Sequence, residues 1–181
     1  MRIKRNILSL IGAIILAATA TVTAPAKGLP SSNPLEKKVR KELVTLPYYG
    51  VFDNLAFSIN GGTVTLYGKV VHPSTRSEAQ SRIAHLSGVN RVVNKIDVLP
   101  PSSFDDSLRR STYRSVFSTA GLYRYGLGAD PSIHIIVDHG RVTLEGVVDN
   151  QADAHLAYVA ALRVPGAFAV TNNLRVAQKP Y

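Results

Sequence analysis

The sequence contains two copies of one pattern, separated by 78 residues. Gly62-Thr63-Val64-Thr65-Leu66-Tyr67-Gly68 in the first copy corresponds to Gly140-Arg141-Val142-Thr143-Leu144-Glu145-Gly146 in the second. The same offset aligns Gly88 with Gly166 and Asn94 with Asn172, so the repeat extends well beyond this motif. Such self-similarity predicts two copies of one small module rather than a single domain of 181 residues.

The boundary between the copies is predicted at Leu99-Pro100-Pro101-Ser102-Ser103. Adjacent prolines exclude a helix there and favour an extended, fairly stiff connection. We therefore assign residues 34–99 to the first module, residues 100–104 to a linker and residues 105–178 to the second module.

The first half of each module is predicted to be a helix followed by a hairpin. In the first copy, residues 34–46 carry apolar side chains at helical spacing, namely Leu35, Val39, Leu43 and Leu46. Residues 55–59 and 64–70 then alternate between apolar and polar, as strands with one buried face do. Asn60-Gly61-Gly62 lies between them and predicts the hairpin turn.

The second half of each module is predicted to be a helix and a third strand. The helix begins at a polar cap, Ser74 or Thr75, and stops at Gly88, and residues 92–98 alternate as a strand. Because the hairpin is followed by a helical crossover, the predicted fold class is α+β. It consists of two tandem αββαβ modules, each a three-stranded mixed sheet with two helices packed on one face. Modules this small leave no room for an enclosed substrate cavity, so function is predicted to lie on surfaces.

Six glycines of the repeated motifs are interpreted as scaffold residues, namely Gly62, Gly68, Gly88, Gly140, Gly146 and Gly166. Gly68 and Gly146 lie on the strand face that carries the core, where a missing side chain would let a helix approach closely. Gly61 and Gly62 supply the positive φ that the turn requires. Asn94 and Asn172 sit among apolar neighbours, so each is expected to bond to a turn or a helix end.

Residues 1–26 are typical of a secretory signal peptide. Three basic residues precede the apolar stretch from Ile7 to Ala18, and small residues follow it. The competing interpretation is an uncleaved membrane anchor, but a spanning helix needs roughly 20 strongly apolar residues. We therefore predict export to the periplasm with cleavage after Ala26 or Ala20, which lowers the formal charge from +9 to +6.

Composition and motifs argue against enzymes and metalloproteins. The chain has no cysteine, which excludes disulfides, thiolate catalysis, Cys-based zinc sites and the acylated cysteine of a bacterial lipoprotein. Its sequence lacks a nucleophile elbow, a P-loop and a dinucleotide fingerprint, so no catalytic residue, metal or cofactor is predicted. The five histidines lack metal-ligand spacing and are expected on solvated surface: His72, His85, His134, His139 and His155.

The order αββαβ, the G-x-V-x-L-x-G motif of both copies and the Gly-Val-x-x-Val-x-Asn-x-Ile-x-Val run from Gly88 to Val98 resemble the BON domain. A tandem pair behind a signal peptide is similar to the osmotically inducible periplasmic proteins of that family. The resemblance implies phospholipid binding, or envelope maintenance under osmotic or envelope stress, without catalysis. The second copy departs at Ala167-Phe168-Ala169, where the first has Val89-Asn90-Arg91, and in a longer segment from Gly121 to Pro131. Whether both copies bind the same partner therefore stays open.

The excess of basic residues, 21 against 12 acidic ones, favours an anionic partner. Aromatic rings beside guanidinium groups suit an anionic phospholipid surface, because rings sit at headgroup depth while cations meet phosphates. The second copy offers such a set on and just after its first helix. The predicted lipid-binding residues are Arg109, Arg110, Arg114, Tyr123, Arg124 and Tyr125.

Two alternatives to this surface remain. Tyr113 and Phe117 on the same helix align with Leu35 and Val39 as core residues, and the arginines then form only a solvated face. The second alternative is a scaffold role, in which an envelope protein or peptidoglycan binds to exposed edge strands or to the segment from Gly121 to Pro131. Export disfavours nucleic acid as the partner.

Overall fold

The computed structural model describes residues 33–128 and 130–178, so the predicted signal peptide lies outside the described residues. The elements are α1 (Pro34–Val44), β1 (Asn54–Asn60), β2 (Thr63–Val70), α2 (Pro73–Ala84), β3 (Arg91–Val98), α3 (Ser103–Phe117), a 3-10 turn (Tyr123–Gly126), β4 (Ile133–Asp138), β5 (Arg141–Val148), α4 (Gln151–Leu162) and β6 (Ala169–Val176).

Each module contains one three-stranded mixed sheet. The strand order is β1-β2-β3 in the first module and β4-β5-β6 in the second, and the middle strand pairs antiparallel with the first and parallel with the third. Val64 and Leu66 on β2 are fully buried beneath Val39 of α1 and Ile83 of α2. Val142 and Leu144 occupy the same positions in the core of the second module. The predicted fold class is confirmed.

The hairpin turns follow the predicted positions. Asn60 pairs with Thr63, which leaves Gly61 and Gly62 as a two-residue turn with φ of 53° and 81°. In the second module His139 takes a φ of 51° in the place of Gly61. Positive φ at both central residues gives the backbone twist that matches the flanking strands.

Three predicted boundaries need correction. Helix α2 begins at Pro73, so Ser74 and Thr75 lie inside the helix. Proline suits the first helical position because it has no amide hydrogen that would need a capping partner. It ends at Ala84, well before Gly88. Helix α3 begins at Ser103, with the Asp105 amide donating to the Ser102 hydroxyl, so the last two residues of the predicted linker are helical.

The prediction for Gly68 and Gly146 is wrong about what comes close to them. A Cβ at Gly68 would lie 1.9 Å from the Asn54 carbonyl oxygen, and a Cβ at Gly146 would lie 2.0 Å from that of Ser132. The approaching atoms are therefore backbone at the start of the neighbouring first strand, in Asn54 of β1 and in Ser132 directly before β4, and not a helix. Both glycines also have φ near +125°, at 123° and 125°, which other residues rarely adopt.

The repeated asparagines tie the crossover helix to the third strand, as predicted. Asn94 Nδ2 donates to the Arg76 carbonyl at 3.0 Å, and Asn172 Nδ2 donates to the Ala154 carbonyl at 3.1 Å. Both carbonyls lie in the first turn of their helices. The side-chain oxygens accept amide bonds two residues further along the strand, so these asparagines serve the scaffold.

The two modules contact each other through the connection between α1 and β1. Val51 and Phe52 from this connection pack against the core of the second module, and the Ile135 amide donates to the Val51 carbonyl at 2.7 Å. Lys69 Nζ lies 2.5 Å from Asp138 Oδ2, and this hydrogen bond lowers the pKa of Asp138 below its usual range. The modules are thus docked and not merely linked.

The same contact buries His134, which the sequence analysis expected on solvated surface. Its ring lies 5.7 Å from that of Tyr49, between centroids, and Nδ1 is 3.3 Å from the Gly50 carbonyl oxygen. The prediction is wrong for His134 because residues of the first module cover the strand that carries it. His72, His85, His139 and His155 are exposed as expected.

We predict that Gly68→Ala destabilises the protein by at least about 2 kcal/mol, since it combines a strained φ with a backbone collision. Gly50→Ala is the matched control, because a Cβ there meets nothing within 4 Å. Urea unfolding followed by circular dichroism measures both. Equal stability of the two variants would contradict the proposed contact.

Candidate functional site

A small cavity of about 160 Å³ lies between the modules, beside Arg40, Asp130 and His134. This volume is below the roughly 300 Å³ at which small-molecule pockets begin. Among residues 33–128 and 130–178, no cluster of histidine and acidic side chains could hold a metal ion. The predicted site lies on the exposed surfaces of the second module.

Arg110 and Arg114 are the two predicted site residues that remain free on the surface of α3. Both are exposed, and their guanidinium groups bond to Ser107 and Ser111 at 3.2 and 3.4 Å along the same helix. Within the described residues neither guanidinium has an acidic partner. Two cations one helical turn apart are therefore available to an external anion.

Arg109 is not on this surface, although the sequence analysis placed it there. Its side chain is 3% exposed and donates to the Val137 carbonyl at 2.7 Å and to Asp106 at 2.5 Å. Val137 belongs to β4, which is an edge strand of the second sheet. Arg109 therefore satisfies an edge carbonyl and helps to close the sheet against other strands.

Tyr125 is also withdrawn from the predicted surface, since it is only 5% exposed. Its hydroxyl donates to Asp153 Oδ2 at 2.6 Å and accepts from the Asp149 amide at 3.0 Å. Burial and the bond to Asp153 raise the pKa of this hydroxyl. Arg124 stacks on the Tyr125 ring and forms salt bridges to Asp149 at 3.2 Å and to Asp153 at 2.6 Å. Of the three predicted residues in this segment, Tyr123 alone stays exposed and uncommitted.

The network around Tyr125 replaces a simpler contact of the first module. There Asp53 accepts from the Val71 amide at 2.7 Å and from the Gly50 amide at 3.0 Å, while burial raises its pKa. Val71 and Asp149 are equivalent in the repeat, so both modules satisfy the first amide after the middle strand. The longer segment from Gly121 to Pro131 thus has a structural role in anchoring the helix α4.

The outer side of α4 was missed by the sequence analysis. Leu156 and Leu162 are 42% and 51% exposed, and Val159 between them is partly exposed. The first module has Glu78, Ser81 and Ala84 at these positions. Comparison of the two copies at the 78-residue offset would have revealed this difference from the sequence alone.

A pair of exposed aromatic rings was also missed. Phe168 is 75% exposed and stacks on Phe104 with 5.8 Å between ring centroids. Phe168 covers Gly140, and the first module has Asn90 in its place, beside Gly62. The second module therefore exposes large apolar groups at positions where the first has polar or small ones.

Acidic groups do not balance the free arginines on this side of the module. Helices α3 and α4 contain Asp105, Asp106 and Asp153, and all three are bound. Asp105 accepts from the amides of the β4–β5 turn, Asp106 pairs with Arg109, and Asp153 pairs with Arg124. The exposed Arg163 after α4 adds a further cation. The result is a surface that combines positive charge with exposed apolar groups.

A family model described as the BON domain matches residues 31–100 and 124–178. Among curated proteins no match was found. Two solved structures of CdsD, a structural protein of the type III secretion system of Chlamydia trachomatis, are similar to this chain. The first, its C-terminal domain, is 11% identical, covers 82% of this chain and 100% of its own, and has a TM-score of 0.32. The second is 13% identical, covers 80% of this chain and 93% of its own, and has a TM-score of 0.30.

We predict that Arg109→Ala lowers the free energy of unfolding by about 2 kcal/mol, because it removes charged hydrogen bonds and leaves the Val137 carbonyl unsatisfied. The adjacent Arg110→Ala is the control and should change stability by less than about 0.5 kcal/mol, as surface substitutions do. Thermal and urea unfolding of both variants give the comparison. A neutral Arg109→Ala would show that this residue does not close the strand edge.

Proposed function

Because the chain belongs to the BON domain family, we propose that it is a non-catalytic envelope protein that binds anionic phospholipid surfaces through its second module. Family membership supports an envelope-associated, non-catalytic role. The observation that carries the lipid assignment is the pair Arg110 and Arg114, exposed and without acidic partners in the described residues. Each cation held near an anionic membrane contributes about 1 kcal/mol of binding free energy.

The aromatic residues support a lipid surface over a free anion. Tyr123 and Phe168 are exposed in the same module as these arginines. Aromatic rings favour the boundary between water and acyl chains, whereas a soluble anion would gain little from them. The first module also has basic residues on α1, but acidic Glu36 and Glu42 lie among them. We therefore assign lipid binding to the second module and a supporting role to the first.

Export is part of the proposal, with residues 1–26 as a cleaved signal peptide. No helix within the described ranges is long and apolar enough to cross a membrane. N-terminal sequencing of protein purified from the envelope is expected to begin at Lys27 or Thr21. An intact Met1 in a carbonate-resistant membrane fraction would overturn export as a cleaved protein.

We predict that Arg110→Ser combined with Arg114→Ser weakens binding to anionic vesicles by about 2 kcal/mol, or roughly 30-fold. Affinity should also fall between low and physiological salt, since exposed charges are screened beyond about 8 Å. Sedimentation with vesicles of anionic and of zwitterionic lipid measures both effects.

The matched control is Lys37→Ser combined with Lys41→Ser, which removes two exposed cations one turn apart on α1 of the first module. It should reduce affinity much less. Equal losses in the two double variants would indicate a diffuse effect of net charge. Binding to purified cell wall with no binding to either vesicle would favour a peptidoglycan or protein scaffold instead.

A further inference from the structure

We infer that the outer side of α4 is the surface that enters the bilayer, with Leu156, Val159 and Leu162 among the acyl chains. The inference rests on the proposed function and deepens it by naming how the module sits on the lipid. In this arrangement α4 lies along the membrane surface, at the depth where interfacial helices bury their apolar side by about 5–10 Å.

The composition of α4 is unusual for a helix with an outer side in solvent. Its inner side carries Ala157 and Ala161, which are fully buried. Its outer side carries the apolar row of Leu156, Val159 and Leu162, spaced three residues apart. Exposed Gln151 and His155 also lie on this helix, yet three apolar side chains in a row are unusual on a helix side that faces water. Here the structure buries only one side.

The fold itself does not require these apolar residues. Helix α2 crosses the first sheet in the same way and carries Glu78, Ser81 and Ala84 at the equivalent outer positions. Packing in the module core is therefore compatible with a polar outer side. The apolar row has to be explained by something that covers it.

The charges around the row identify that partner as anionic lipid. Arg163 follows α4 directly, and Arg110 and Arg114 lie exposed on α3, the helix that packs against α4. The acidic residues of the two helices are all bound. A symmetric contact with a second copy would place the same cations on both sides of the interface, which is unfavourable. Phosphate headgroups above acyl chains match both the cations and the apolar row.

The aromatic pair extends this surface at one end. Phe104 packs within 3.5 Å of the Cβ position at Gly166, four residues after the end of α4, and Phe168 stacks on it. The end of α4 and the first turn of α3 therefore meet beside exposed rings, which suit headgroup depth.

The chain contains no tryptophan, so one introduced indole reports its own surroundings. We propose Leu162→Trp in the exported full chain, with Ala84→Trp at the equivalent exposed position of the first module as control. With anionic vesicles, the emission of the Leu162→Trp variant should shift to the blue and be quenched by bromine-labelled acyl chains. The emission of the Ala84→Trp variant should change little.

A second variant tests the row without a probe. Leu156→Gln, Val159→Ser and Leu162→Ala together make the outer side of α4 resemble α2 without changing the net charge. Affinity for anionic vesicles at physiological salt should fall by at least about tenfold. Circular dichroism should show an unchanged fold, because these side chains are not part of the core.

The outcomes separate this inference from the proposed function. Vesicle binding that depends on Arg110 and Arg114, without quenching at position 162, would overturn the inference and leave lipid binding intact. Absence of vesicle binding would overturn both. A blue-shifted indole at position 162 before lipid is added would show that protein already covers the row. A dimer abolished by the triple substitution would assign the row to a second copy.

Discussion

The contact between the first and middle strands of each module is the constraint on which the rest of the structure depends. At Gly68 and Gly146 the carbonyl of the neighbouring strand occupies the space that a side chain would need. This close approach fixes where the first strand enters the sheet and therefore which residues it aligns with the core. This contact then sets the position of the hairpin turn and of the core residues on the middle strand. It also sets the position of the asparagine that binds the crossover helix. Because the contact recurs in both copies, both modules share one backbone plan.

The two modules use this plan to present different surfaces. The interior is nearly the same in both, with valine and leucine on the middle strand in each core. The exterior differs at α4, which carries Leu156, Val159 and Leu162 where α2 has polar or small residues, and at Phe168, which stands where the first module has Asn90. The first module in turn supplies Val51 and Phe52 to its neighbour. A repeat that keeps its core and changes its exterior allows one copy to support and the other to bind.

The sequence predicted the backbone plan well and the candidate surface only in part. Strand alternation and turn glycines report local geometry, so the elements and their order could be derived from them. The helix α3 could not be placed by the same offset. The buried positions of α3 align with the core-facing positions of α1 at an offset of 73, which pairs Leu108, Thr112 and Val116 with Leu35, Val39 and Leu43. The offset differs from 78 because the connection from α3 to β4 is longer than that from α1 to β1. At this offset Arg109 aligns with Glu36, which is only partly buried, so its own burial goes with the bond to the Val137 carbonyl. Tyr125 is buried by a network whose partners come from distant parts of the chain.

The docking of Val51 and Phe52 gives the order of the modules a physical meaning. Strand β4 is an edge strand, and the chain that precedes it covers that edge through the Val51 carbonyl. A second module cut free at the linker would expose an open strand edge beside an apolar hollow, which is a common start of aggregation. The first module therefore covers the strand edge of its neighbour, and during synthesis it emerges before that edge.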